Sequence, residues 1–220
     1  MSAGIETVRI PVGDSALEGD LALPEPVFAV VAFVHGSGSS RLSSRNRRVA
    51  ATLQQAGVAT LLFDLLTPEE EQVDQATGQL RFDIELLTTR LCAAIAWLGQ
   101  AAPTTALPIG LFGASTGAAA ALVASARLPD IVRAVVSRGG RPDLAGDDAL
   151  RAVRAPTLLI VGGHDDVVEG LNRAAAAQLR TEHRIEIVPD ATHLFEEPGA
   201  LDRVAGLAAD WFGQHLHQRL

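Results

Sequence analysis

The chain has a single cysteine, Cys92, and so cannot close an intrachain disulfide. A reducing compartment suits it. It has no basic excess either: 18 Lys and Arg stand against 26 Asp and Glu, a net charge of -8. Such a chain cannot neutralise a phosphate backbone, so no nucleic-acid partner is expected. No apolar run approaches the ~18 residues that suggest a membrane span. The first residues, MSAGIETVRIPVGDS, lack both a basic start and an apolar core, so no signal peptide is expected. No cluster has zinc spacing, since His215 and His217 are two apart on a helix and face different directions. No G-x-G-x-x-G follows a strand. The expectation is therefore no metal and no cofactor. Repeats, linkers and composition shifts are lacking too. These absences leave a cytoplasmic, acidic enzyme or binding protein with a single domain over residues 1–220, monomer or homodimer, whose partner is a small molecule.

What is present has a globular balance, with 48% hydrophobic and 20% charged residues. Thr7 to Val12 and Leu17 to Leu23 alternate about Gly13-Asp14-Ser15, which predicts a hairpin. Phe28 to Val34 is a continuous apolar run that predicts a strand covered on both faces, and further strands are predicted at Val58 to Leu66, Ile109 to Phe112, Ile131 to Val136, Thr157 to Val161 and Ile185 to Val188. Between them the spacing predicts helices over Ser44 to Gln55, Phe82 to Leu98, Leu171 to Leu179 and Leu201 to Leu220. Leu150 to Val153 is at most a short helix. The polar stretch Thr67 to Leu80, with Glu69, Glu70 and Glu71 in a row, reads as an exposed loop. The alternation gives an α/β fold: a mostly parallel sheet, helices on both faces and an antiparallel N-terminal hairpin.

Leu107 to Val123 reads LPIGLFGASTGAAAALV. The apolar run breaks at Gly113-Ala114-Ser115-Thr116-Gly117 and resumes as an alanine-rich helical segment. That is the strand, sharp turn and helix that a G-x-S-x-G nucleophile elbow requires. Positions two before and two after the serine have almost no room for a side chain, a need glycine meets by lacking Cβ. Three other strand ends carry polar residues: His35-Gly36-Ser37-Gly38, Gly162-Gly163-His164-Asp165-Asp166 and Asp190-Ala191-Thr192-His193. A serine hydroxyl needs a neighbouring base, imidazole has a suitable pKa, and a carboxylate fixes the imidazole tautomer. Ser115, Asp165 and His193, in that chain order, are the expected catalytic set. The backbone N–H groups of Ser37 and Thr116 are the expected oxyanion hole. Asp166 competes with Asp165, because only one of two adjacent carboxylates can point at the histidine. The bland alternative is a turn serine in a binding domain.

The stretches VHGSGSS, GLFGASTGAAAAL, VVSRGG, APTLLIVGGHD and PDATHLFEEPG resemble the α/β-hydrolase superfamily. Within it they look like the small, lidless dienelactone hydrolase-like group, from Val27 to the terminal helix. The resemblance implies the α/β-hydrolase fold without a cap domain and hydrolysis of carboxylic esters through an acyl-enzyme. The superfamily's G-x-x-D-x-x-V turn implies Asp165 as the acid, with Val168 three residues on. Dienelactone hydrolase itself uses a cysteine nucleophile where this elbow holds serine, so esterase chemistry carries over rather than the dienelactone substrate. Only Arg141 to Ala155 separate the SRGG strand end from Pro156, too few residues for a cap. An open site for small soluble esters is expected. A non-catalytic ligand-binding or regulatory protein, and an amide or thioester hydrolase, are the alternatives.

Around this site Arg138 and Arg141 could clamp a substrate carboxylate or brace loops. Arg41, Arg45, Arg47 and Arg48 could form an anion site or a solvated helix face. Asp64 could border the pocket or bond loop amides. His35 is expected to fix its turn, and Cys92, mid-helix, to behave as a small apolar residue.

Overall fold

The computed structural model describes residues 4–217. Its strands are β1 (Gly4–Val12), β2 (Ser15–Leu23), β3 (Ala29–Val34), β4 (Val58–Phe63), β5 (Ile109–Ala114), β6 (Val132–Arg138), β7 (Thr157–Gly162) and β8 (His183–Val188). Its helices are α1 (Ser44–Gln55), α2 (Pro68–Thr77), α3 (Ile84–Leu98), α4 (Thr116–Arg127), α5 (Asp147–Ala152), α6 (Asp166–Ala176) and α7 (Ala200–Leu216). The strands form one eight-stranded sheet in the order β1-β2-β4-β3-β5-β6-β7-β8. β2 runs antiparallel to β1 and β4, and the other pairs are parallel. This is the predicted α/β-hydrolase architecture with its leading hairpin.

Every residue of β3, β4, β5 and β7 is buried, because helices cover both faces. Each apolar run is two interleaved patterns of period two. In β3, Val30, Ala32 and Val34 join a core with Leu91 and Ile95 of α3 and Leu122 of α4. Ala29, Val31 and Phe33 join the opposite core with Leu53 of α1 and Trp211 and Phe212 of α7. The segment between β6 and β7 holds only a 3₁₀ turn, Pro142–Ala145, and α5, so among the described residues no inserted cap follows β6. No described helix is long and apolar enough to cross a membrane.

The stretch expected as a loop contains a helix instead. The Thr67 hydroxyl accepts from the Glu70 N–H at 3.3 Å, and the Glu70 carboxylate accepts from the Thr67 N–H at 2.9 Å. This capping box is followed by Pro68 in the first turn, and Gly78 at φ 66 ends the helix. The three glutamates occupy the first turn, where the helix dipole favours negative charge. Only Asp74 in α2 is buried, so the helix shows no apolar stripe and its periodicity is silent. Two other helices begin elsewhere than expected, and both start where an aspartate stands at the cap position. Asp83 caps α3 through the Leu86 N–H, after a 3₁₀ turn at Leu80–Phe82, and α6 starts at Asp166 rather than Leu171. α7 ends at Leu216; the last part of its expected range, residues 218–220, lies outside the described residues.

Strand order reverses at β3: β4 lies on one side and β5 on the other. Val34 at the end of β3 pairs with Gly113 near the end of β5. The turns that leave these two strands therefore abut, at the switch point where open α/β sheets bind ligands.

Thr67→Ala should lower unfolding free energy by about 1 kcal/mol, the usual cost of a lost N-cap. Urea denaturation checks it, and an unchanged midpoint would remove the capping box from the account of α2.

Candidate active site

β5 delivers Ser115 to a turn with φ 51 and ψ -122, a conformation that costs a non-glycine residue about 1–3 kcal/mol. The surrounding backbone enforces it. Ser115 N–H donates to the Arg138 carbonyl at 3.2 Å, and the Ser115 carbonyl accepts from Ala118 N–H at 3.1 Å and Arg141 N–H at 3.0 Å. The flanking glycines are required by contact. A Cβ at Gly113 would lie 2.5 Å from Ala118 Cα, and one at Gly117 would lie 2.2 Å from the Val34 carbonyl oxygen.

Asp165 stands at the cap position of α6 but makes no side-chain cap bond. Its carboxylate instead meets His193, with Nδ1 and Oδ2 2.7 Å apart. Asp165, not Asp166, is the carboxylate on the imidazole. A neutral ring that donates Nδ1–H to this carboxylate presents Nε2 as a bare acceptor. His193 is held in a turn where the Thr192 hydroxyl donates to Glu197 at 2.6 Å and Phe195 takes φ 55. That bond holds the Glu197 carboxyl below the usual range. The imidazole lies beside Gly139, where a Cβ would be 3.5 Å from His193 Cε1, and Gly139 follows the residue whose carbonyl holds Ser115. The three predicted residues thus gather on one rim. Among the described residues no direct hydrogen bond joins the Ser115 hydroxyl to His193. Such bonds are often long before substrate binds.

The expected oxyanion hole differs in one respect. Ser37 N–H is already engaged, donating to the Thr116 hydroxyl at 2.9 Å. Thr116 N–H sits in the first turn of α4, where no helical acceptor exists.

The arginines separate clearly. Arg141 makes two 2.8 Å bonds to Asp143. Arg41 is bound to Asp64 through both backbone and side chain and to Glu18 at 2.7 Å. Asp64 is therefore occupied with the turn that carries Arg41. Arg45, Arg47 and Arg48 pair with Glu196, Asp20 and Asp202 across a solvated helix face. Arg138 is the exception: it is 7% exposed, and among the described residues its Nε and Nη1 have no partner. Its guanidinium lies 6.0 Å over the Phe195 ring, and burial, aided by nearby Arg45, pushes its pKa down to about 10.

A cleft of about 380 Å³ adjoins the turn after β3, lined by His35, Ser39, Arg41, Asp64, Leu66 and Glu71. A larger hollow, about 560 Å³, lies at the opposite ends of β5 and β6, away from Ser115. The smaller cleft lies on the strand-end side that carries Ser115, although Ser115, His193 and Arg138 are not in its lining. Among the described residues no group of three or more His, Cys, Asp or Glu side chains is placed to hold a metal. Cys92 is half-buried, and burial raises its pKa, consistent with an inert thiol.

The dienelactone hydrolase family matches residues 17–214. The chain belongs to that family. The crystal structure of the dienelactone hydrolase of Anabaena variabilis ATCC 29413 is 55% identical, with a TM-score of 0.96 over 99% of this chain and 100% of that one. A Mycobacterium tuberculosis H37Rv protein named "Putative phosphoribosyl transferase" is 57% identical over 211 residues. The match covers 96% of this chain but 46% of that protein, so the chain spans less than half the length of this relative. A Bradyrhizobium protein named "Probable 2-oxo-3-(5-oxofuran-2-ylidene)propanoate lactonase" is 27% identical, covering 78% of this chain and 74% of its own.

In this family member the turn after β3 is braced by His35. Its Nε2 accepts from Leu65 N–H at 3.2 Å, so Nδ1 carries the proton and donates to the Gly36 carbonyl at 2.9 Å. Burial pushes its pKa below the ordinary value, against the opposing pull of that carbonyl and of Asp64 and Glu71. Protonation would turn the acceptor into a donor facing an N–H. A depressed folded-state pKa contributes stability that is present above pH ~6.5 and lost as pH falls through the folded value. His35→Gln should therefore show a shallower loss of stability than the parent between pH 7 and mild acid. Melts across that range measure it, and identical slopes would mean His35 does not titrate with folding.

Proposed function

We propose that the chain hydrolyses small carboxylic esters through an acyl-enzyme on Ser115. The supporting observation is the Asp165–His193 hydrogen bond on the rim that holds the strained Ser115 turn. Ser115 Oγ attacks the ester carbonyl while His193 Nε2 takes its proton. Asp165 stabilises the imidazolium that results. The oxyanion faces Thr116 N–H at the start of α4. His193 then gives the proton to the leaving alcohol, and a water deprotonated by His193 releases the acid and restores the serine.

Arg138 narrows the substrate. A buried guanidinium without a carboxylate is costly, and a second cation beside it adds to the cost. A carboxylate on the substrate would relieve both. The relative named as a lactonase of a propanoate, a cyclic ester bearing a carboxylate, agrees with this reading. Phosphoribosyl transfer has less support in these residues. This chain matches less than half of the M. tuberculosis protein, so that protein's name is not carried to these residues.

Ser115→Ala should lower kcat on a short-chain p-nitrophenyl ester by about ten-thousand-fold or more, and abolish labelling by a fluorophosphonate. A well-folded variant with full activity would refute the nucleophile. Arg138→Gln should reduce kcat/KM on a carboxylate-bearing ester by about tenfold or more while changing a neutral ester little, the scale of one charged hydrogen bond. Equal losses on the two substrates would retire the anion role.

A further inference from the structure

The sequence points to the Thr116 backbone alone, yet its side chain is engaged as well. It is 3% exposed, and its hydroxyl accepts the Ser37 N–H at 2.9 Å across 79 residues of chain. A threonine hydroxyl accepts through lone pairs and also donates one hydrogen. Among the described residues no carbonyl or carboxylate takes that hydrogen. Thr116 therefore presents two donors without protein acceptors, its backbone N–H and its O–H, immediately after Ser115. Ser37 has only one N–H, and a hydrogen already directed at Thr116 Oγ1 cannot make a full bond to a substrate oxygen as well.

We propose that the Thr116 hydroxyl is itself an oxyanion donor, with the Ser37 N–H standing behind it. As Ser115 Oγ forms its bond to the carbonyl carbon, the C=O π pair moves onto oxygen. That oxygen receives hydrogen bonds from Thr116 N–H and Thr116 O–H, and the hydroxyl proton stays on Thr116. The bond from Ser37 polarises the hydroxyl and makes it a better donor, as in any hydrogen-bonded chain. Threonine suits the task because its branched Cβ restricts χ1 and so limits where the hydroxyl can swing. Ser37 becomes a positioning residue and Thr116 a catalytic one.

This inference rests on the serine hydrolase reading, and the test separates the two. Thr116→Val keeps the shape and deletes the hydroxyl. If the hydroxyl is the donor, kcat on p-nitrophenyl acetate falls about a hundredfold with KM nearly unchanged. Affinity for a boronic acid, which forms a tetrahedral adduct on serine, falls in parallel. Thr116→Ser, which restores the hydroxyl, recovers most of the loss. Were Ser37 N–H the direct donor, Thr116→Val would free it, and an undiminished or raised kcat would overturn the proposal. Thr116→Ala serves the same comparison if the valine variant does not fold. Fluorophosphonate labelling of the parent protein is the control for the underlying reading. A parent that is not labelled sinks the serine mechanism itself. A labelled parent with a fully active Thr116→Val sinks the hydroxyl role alone.

Discussion

Ser115 keeps a positive-φ backbone because the ends of the two neighbouring strands close around it. β6 supplies the Arg138 carbonyl that takes its N–H, the segment after β6 supplies the Arg141 N–H, and β3 supplies the carbonyls against which Gly117 packs. A residue at φ 51 relaxes unless its surroundings forbid it. The strain is thus distributed over the central sheet rather than stored in one bond. A side chain at Gly117 would separate α4 from β3, and with it the Thr116–Ser37 bond that joins the two turns, while one at Gly113 would push α4 from β5.

The charges around the rim follow a second constraint. The chain has no lysine, so each of its 18 cations is an arginine with a planar fork. Near the site these forks are matched to carboxylates: Arg41 to Asp64 and Glu18, Arg141 to Asp143, Arg48 to Asp202. The exposed pair, Arg48 with Asp202, contributes little stability, whereas those of Arg41 and Arg141 are part-buried. Arg138 breaks the pattern at the one place where burial makes an unpaired cation costly. Its neighbour Phe195 belongs to the same turn as His193, so any group that pairs with Arg138 also bears on the turn that positions the imidazole.

Much of this was legible in the sequence, for reasons that differ by element. The elbow was readable because close contact leaves glycine as the only residue for positions 113 and 117. The buried strands were readable because both faces demand apolar side chains. Helix α2 carried its own punctuation, Thr67, Pro68, Glu70 and Gly78, but without an apolar stripe the acidic run resembled a loop. The start of α6 was hidden because Asp165 gives its carboxylate to His193 and forgoes the cap bond that marks a helix beginning.

The sequence by itself determined the fold class, the Ser115 turn and the order of residues along the strand ends. Each of these is set by local sterics or by the alternation of burial. Only tertiary structure decided which of two adjacent aspartates meets the histidine, which arginine beside the site is left without a carboxylate, and that the Ser37 N–H is taken by a threonine hydroxyl. Those outcomes depend on directions and distances between residues dozens of positions apart. No local pattern encodes such directions, because they are fixed only when β3, β5, β6 and β7 lie side by side.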